Sequence, residues 1–391
     1  MASSTKIWRQ LFRLHSLAGL VTGIFLLLLG ISGSALVFME EIDAMLNRDI
    51  LRVEKKEQTL PLNKLYAIAT SQYPNLGGIG WTNPEADPDE ACNFRLYLND
   101  GKVYTYDLAI LTINPYTGAL IRSGRYDDLH SGIMQWLFQF HFSFHLGMPG
   151  ALLTAILGIT MLISCITGLI VYRKQLWKVI TFRVRINWKN RRRLTSDLHR
   201  IIGVWALLLN LIIFFTGFWM NLFAFQPESW KKKMVENPVH SSGLLPMDDL
   251  LQIAKHAMPQ LAIEHIYMPA QEGQLFRVSG SLPGDSKLFG NSSIAINPLT
   301  GGIERKTIQQ ELSFSKKLEA AIQPLHVGSY GGYPIKFLYI LIGLTPGILS
   351  VTGYLLYLKR TKGKVKKEAV TVPEQTKRRC HLDCPQKIGQ I

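Results

Sequence analysis

"LHSLAGLVTGIFLLLLGISG", residues 14–33, returns as "LHRIIGVWALLLNLIIFFTG", residues 198–217, without a gap. His15 falls on His199, Gly19 on Gly203 and Gly33 on Gly217. Both copies reach the roughly 20 apolar residues that a bilayer crossing takes. The stretch reads as a membrane helix used twice, with a histidine near one end each time. An ionisable imidazole on a nearly uncharged membrane helix points to something that binds it.

The distribution of charge extends this reading to the whole chain. A formal charge of +15 on 391 residues, 47% of them hydrophobic, would also suit a large basic protein that binds nucleic acid. Yet Asp, Glu, Lys and Arg are absent from Leu14 to Met39, Leu129 to Tyr172, Ile201 to Pro227 and Phe337 to Leu358. These windows read as four spans, the second too long for one helix alone. The N-terminus, the loop from Arg173 to Arg200 and the tail from Lys359 hold 23 basic residues against Asp197, Glu368, Glu374 and Asp383. The two long loops hold the other 20 basic and 24 acidic residues. Basic loops stay in the cytoplasm, so both termini are expected inside and both long loops outside. The basic excess then serves topology and attraction to anionic membrane lipid, and nucleic acid is not an expected partner. A cleaved signal ending near Ser34 or Ala35 is disfavoured, because the apolar run is long and its internal copy cannot be a signal. Of the four cysteines, Cys92 stands alone in an outer loop, Cys165 lies in a span, and Cys380 and Cys384 lie in the tail, so no pair staples an exported domain.

The repeat continues beyond the first helix. "LPLNKLYAIATSQYP" from Leu60 recurs as "LPMDDLLQIAKHAMP" from Leu245, apolar at helical spacing between prolines. Phe94-Arg95 recurs as Phe276-Arg277 in strand-like alternation, and "INPYTG" from Ile113 as "INPLTG" from Ile296. Asn-Pro then Thr-Gly between apolar runs is hairpin chemistry. The segment from His141 lies ungapped on that from His326, with Gly147 on Gly332, Pro149 on Pro334, Gly168 on Gly353 and Tyr172 on Tyr357. One unit is therefore span, outer domain, span, and the chain is two such units. The expected division is N-terminus and first span 1–38, outer domain 39–140, second span 141–173, basic loop 174–198, third span 199–224, outer domain 225–325, fourth span 326–358 and basic tail 359–391. The fold class is an integral membrane α-helical protein with four transmembrane helices in two tandem repeats and two outer α+β domains. Halves of equal orientation are related by an axis along the membrane normal. His15 and His199 are then expected to meet near the inner surface, and His141 and His326 near the outer one.

Two imidazoles from opposed helices are what a low-spin b-type haem needs at its axial positions, with two pairs implying two haems. Gly19 and Gly203, one turn after the inner histidines, leave room for the macrocycle. No C-x-x-C-H motif occurs, which excludes covalent attachment, and zinc would want a third or fourth ligand. His145, one turn after His141, is a reserve ligand or a partner for a haem propionate, although its repeat counterpart is Tyr330. His130 has no counterpart and is a weaker candidate. Trp136, Phe138, Phe140, Phe142 and Phe144 read as an interfacial belt. His240, His256 and His265 read as ordinary residues of the outer domain, and Cys380, His381 and Cys384 as a weak metal signal in a polar tail.

From Trp8 to about Arg360 the chain resembles the PepSY-associated transmembrane proteins, which include bacterial inner-membrane ferric-siderophore reductases. The residues that carry the resemblance are the four spans, the paired "INP-x-TG" turns, and helices opening "LH" and closing "TG-x-x-x-Y-x-K" or "TG-x-x-x-YRK". The resemblance implies two periplasmic PepSY-like domains, an inner-membrane location and b-type haems on His15, His199, His141 and His326. It further implies electron transfer to an iron chelate, a ferric siderophore, at the periplasmic face for iron uptake. With no G-x-G-x-x-G fingerprint, the electrons are expected from a quinol or a cytoplasmic reductase. Two other readings are a non-enzymatic PepSY protein that binds or regulates a periplasmic partner, and a transporter of an iron chelate or haem.

Overall fold

The computed structural model describes residues 2–73, 75–99, 107–231 and 243–380. Along the first half run α1 (Ala2–Leu36), α2 (Met39–Leu46), α3 (Arg48–Leu51), α4 (Leu62–Gln72), β1 (Leu76–Trp81), β2 (Cys92–Leu98), β3 (Leu108–Ile113), β4 (Leu120–Arg125), α5 (Ile133–Ser143) and α6 (Gly147–Ile180). Along the second run α7 (Arg191–Trp205), α8 (Leu207–Met220), α9 (Met247–Ala257), β5 (Ala262–Met268), β6 (Phe276–Ser281), β7 (Ser292–Ile296), β8 (Ile303–Thr307), α10 (Phe314–Val327) and α11 (Gly332–Cys380). His240, His381 and Cys384 lie outside the described residues, as does the side chain of Cys380.

Three stretches, Lys6–Leu36, Gly147–Ile180 and Gly332–Thr361, are helices long and apolar enough to cross a membrane. Arg193–Trp205 and Leu207–Met220 satisfy the same test as a pair bent by 65°. The third span is thus broken where the sequence predicts one helix. Gly203, Val204 and Trp205 precede the break, and glycine, β-branched and aromatic residues all hold a helix poorly. Val21, Ile24 and Leu341 are each more than half exposed along these helices, a surface suited to lipid tails rather than water.

The chain forms two compact units. The first comprises residues 1–27, 163–208 and 345–391, and its described residues are mostly helical. The second comprises 28–162 and 209–344 and contains the eight strands of the described residues.

Within the second unit the strands form one antiparallel sheet in the order β4-β3-β2-β1-β5-β6-β7-β8. The two outer domains expected from sequence therefore share a single sheet. The join is β1 on β5, with Ile79 opposite Met268, Gly80 opposite Tyr267 and Trp81 opposite Ile266. Pairing these two strands removes the unpaired edge that each half would otherwise expose. Helices α4 and α9 pack on one face, and Leu65, Ala69, Leu250 and Ala254 share a buried core with Phe94, Leu96, Leu111, Phe276 and Ile294. The helices also cap one another across the repeat, since the backbone N–H groups of Leu62 and Asn63 donate to the Asp248 carboxylate at 2.8 and 2.9 Å. On the opposite face Leu108, Ile110 and Tyr126 pack with Met39 and Phe138.

Both "INP-x-TG" stretches form the hairpin turns β3–β4 and β7–β8, with Gly118 at φ +74° and Gly301 at φ +72°. The segment 141–173 is not one helix. Phe144 and His145 adopt left-handed backbone and end α5, and α6 starts at Gly147 with Pro149 in its first turn, where a missing N–H is harmless. In the second half Gly328 ends α10, and α11 starts at Gly332 with Pro334 two residues on. His141 and His326 consequently sit on short helices that precede the spans.

Candidate functional site

The first unit brings His15 on α1 and His199 on α7 together, their ring centres 6.3 Å apart and their planes at 79°. The Nδ1–H of His15 donates to the Ser164 carbonyl at 3.0 Å, with Thr167 Oγ1 at 3.5 Å. His199 Nδ1 stands 2.8 Å from Thr352 Oγ1, and the Leu349 carbonyl is a further partner. Beside each ring lies a glycine. A Cβ on Gly168 would stand 3.0 Å from Cε1 of His15, and one on Gly353 3.4 Å from Cε1 of His199.

The second unit repeats the arrangement. His141 on α5 and His326 on α10 have ring centres 6.3 Å apart at 45°. His141 Nδ1 lies 2.9 Å from Ser32 Oγ, and His326 Nδ1 lies 3.1 Å from Thr216 Oγ1 and 3.2 Å from the Ile213 carbonyl. A Cβ on Gly33 would meet Cε1 of His141 at 2.8 Å, and one on Gly217 would meet Cε1 of His326 at 2.9 Å. Each histidine therefore rests on a hydroxyl residue followed by glycine: Ser32-Gly33, Thr167-Gly168, Thr216-Gly217 and Thr352-Gly353.

The hydroxyls decide the tautomer. Each donates its only proton to its own helix, Ser32 to Leu28, Thr167 to Ile163, Thr216 to Ile212 and Thr352 to Ile348, at 2.7–2.9 Å. Only acceptor lone pairs remain for the imidazole. Nδ1 must then carry the hydrogen, which leaves Nε2 with a free lone pair, the form that binds a metal. Among the described residues Nε2 of none of the four has a hydrogen-bond partner.

A bis-histidyl iron centre fits this geometry. Two imidazole–metal bonds of about 2 Å in line would hold ring centres about 6 Å apart. Apart from the adjoining backbone, nothing among the described residues lies within 4 Å of a Cβ built on Gly19, and Leu349, at 3.7 Å, approaches one built on Gly203. Among the described residues no three His, Cys, Asp or Glu side chains converge, so each pair offers two imidazole nitrogens and no further side-chain ligand of these types.

A family model described as the PepSY-associated TM region matches residues 12–360. The chain belongs to this family. It is a multi-pass membrane protein with a sheet domain. A relative, an uncharacterized protein of Pseudomonas aeruginosa, is 24% identical over 257 residues, which is 57% of this chain. The chain spans 63% of that relative's length.

The other histidines stand apart from the pairs. His145 has left the helix of His141 and does not share its face. Its ring lies 4.6 Å from that of Trp136 and 6.0 Å from that of Phe140, and neither of its nitrogens has a hydrogen-bond partner among the described residues. His130 is exposed and paired with Asp128 at 2.9 Å. His256 is on α9 and His265 on β5. Trp136 stacks on Phe140 and Phe138 on Phe142. Cys92 is buried in the sheet core, where burial pushes its thiol up to about 12 and leaves it unreactive. Sequence reasoning missed the residues that hold the histidines: Ser32, Ser164, Thr167, Thr216 and Thr352. For all of these but Ser164 the signal was present as four Ser-Gly or Thr-Gly pairs at the repeat offset.

Proposed function

We propose that this protein is a haem-b-containing inner-membrane reductase that carries electrons across the membrane to a ferric chelate, of the siderophore class, at the periplasmic face. The chain spans the membrane four times, the bent pair α7–α8 counting as one span, in two repeats with both termini cytoplasmic. The charge asymmetry of its loops supports this orientation. The observation that carries the reading is the fourfold recurrence of one ligand geometry: Nδ1 tied to a hydroxyl, Nε2 bare, and the ring faced by its repeat counterpart at 6.3 Å.

His15 and His199 would hold one haem and His141 and His326 the other. Haem iron bound this way supplies one-electron transfer. The chain's own part is to fix the imidazoles. Ser32, Thr167, Thr216 and Thr352 lock the tautomer, and the neighbouring glycines let the rings lie flush against the helices. A hydrocarbon core of about 30 Å is long for a single electron step, and two centres divide it. Electrons would enter from a quinol or a cytoplasmic reductase.

The test is a reduced-minus-oxidised visible spectrum with haem quantitation on protein from haem-replete cells and on the four histidine-to-alanine variants. Two haems per chain are expected, with either member of a pair abolishing the same one. Protein without a Soret band would end the reading.

A further inference from the structure

The two halves of the sheet differ in one respect that the repeat does not predict. Arg122 on β4 and Arg305 on β8 occupy matching positions, each opposite the residue that precedes the isoleucine of its "INP" turn, Thr112 and Ala295 respectively. Arg122 is buried and held by Asp43, its two guanidinium nitrogens 3.0 and 2.9 Å from the carboxylate oxygens. Arg305 is exposed and carries no ion pair among the described residues.

Arg305 has company. Register places Arg95, Gly80, Tyr267, Arg277, Ala295 and Arg305 in one row across β2, β1, β5, β6, β7 and β8. Strands lie about 4.8 Å apart, so Arg277 and Arg305 flank the short side chain of Ala295. Four of them, Tyr267, Arg277, Ala295 and Arg305, line with Tyr97, Gly77 and Gly78 a cavity of about 400 Å³ on the face opposite α4 and α9. Gly77, Gly78 and Ala295 leave part of its wall without bulky side chains, and the Tyr97 ring lies over Gly78, where a Cβ would stand 3.2 Å from Cδ2. The Arg277 guanidinium sits 4.2 Å from the centre of the Tyr267 ring, which orients it without neutralising it. Two guanidinium groups that have no ion pair among the described residues, about two strands apart over a part-aromatic surface, suit paired carboxylate-type oxygens.

We propose that this cavity binds a small organic anion, held between Arg277 and Arg305. For its iron the inference rests on the reductase reading: an anionic, oxygen-ligated ferric chelate is then the substrate class, and this cavity its docking place. Anion binding itself does not depend on haem.

The test is calorimetric titration of the full-length protein in detergent with citrate and with ferric citrate, alongside a cationic ferric trihydroxamate. Arg277→Gln, Arg305→Gln, the double variant and the control Lys287→Gln are compared, each checked for an unchanged melting temperature. Both citrate species should bind and the cationic chelate should not. Each arginine substitution should weaken binding about tenfold or more, the loss of one charge-assisted contact, while Lys287→Gln binds as wild type does. Citrate affinity unchanged in the double variant, or no citrate binding at all, overturns the proposal. So does binding of phosphatidylglycerol vesicles that requires both arginines when citrate does not bind, since the cavity would then hold a lipid headgroup. Because the titration reads binding and not turnover, its failure leaves the haem reading intact, and a missing Soret band leaves the anion site intact.

Discussion

Thr352 Oγ1 lies 2.8 Å from Nδ1 of His199, and the hydroxyl proton is already committed to the Ile348 carbonyl at 2.8 Å. The threonine can therefore only accept, and it selects the tautomer that leaves Nε2 bare. Thr352→Val preserves shape and removes the side-chain acceptor, leaving the Leu349 carbonyl. Losing such an outer partner typically weakens metal binding by about 10- to 100-fold. The expected outcome is a weaker Soret band at limiting haem and a shifted midpoint potential for one haem only, with Thr352→Ser near wild type. Equal haem affinity and potential in Thr352→Val would show that the hydroxyl does not set the ligand.

The glycines beside the histidines rank themselves by contact. A Cβ would meet His141 at 2.8 Å from Gly33 and His326 at 2.9 Å from Gly217, but His199 only at 3.4 Å from Gly353. Overpacking of this kind typically costs about 1–3 kcal/mol, or the ring moves aside. Gly33→Ala and Gly217→Ala should each lower the melting temperature or displace the second unit's ligand pair, and Gly353→Ala should do least. Thermal melts and haem stoichiometry of the three variants check the order, and a Gly353→Ala effect as large as that of Gly33→Ala would refute it.

Much of this architecture is legible in the sequence, and what is not has identifiable causes. Helical spans announce themselves by uninterrupted apolar runs, and the "INP-x-TG" turns by residues that only a tight reversal demands. Strand partnership carries no such local mark: Gly80 opposite Tyr267 is a tertiary choice between two equally available edges. The break between α5 and α6 was visible in Gly147 and Pro149, yet an ungapped alignment favours reading through it. That break is what separates His145 from His141. The hydroxyls of Ser32 and Thr216 escaped notice because a serine or threonine in an apolar helix usually just bonds its own backbone, and these do that as well.

Asp43 and Arg122 form a buried, two-pronged ion pair whose side chains are only 12% and 5% exposed. It ties α2 to β4. Removing one partner of such a pair strands a buried charge, which typically costs about 3–5 kcal/mol, whereas replacing both with apolar groups is often near neutral. Asp43→Ala should therefore destabilise the sheet domain strongly, while Asp43→Leu combined with Arg122→Met should recover most of the loss. Thermal unfolding of the single and double variants decides it. A double variant no more stable than Asp43→Ala would mean that the pair's hydrogen bonds, and not its charges, hold α2 in place.

His265 makes a pH dependence of the sheet domain. It is half-buried on β5, and burial, with Arg95 close by, lowers its affinity for a proton below the usual value of 6.5; Glu264 and Glu40 oppose the shift and Arg277 adds to it. The unfolded chain then binds the proton more tightly than the folded one, so stability rises with pH across that interval. The full contribution is present above about pH 6.5 and is lost progressively below it, before most carboxylates titrate. Replacing the ring with a neutral amide in His265→Gln should flatten the melting-temperature profile between about pH 7 and pH 5.5 relative to wild type. Parallel profiles for the two proteins would assign the slope to other groups.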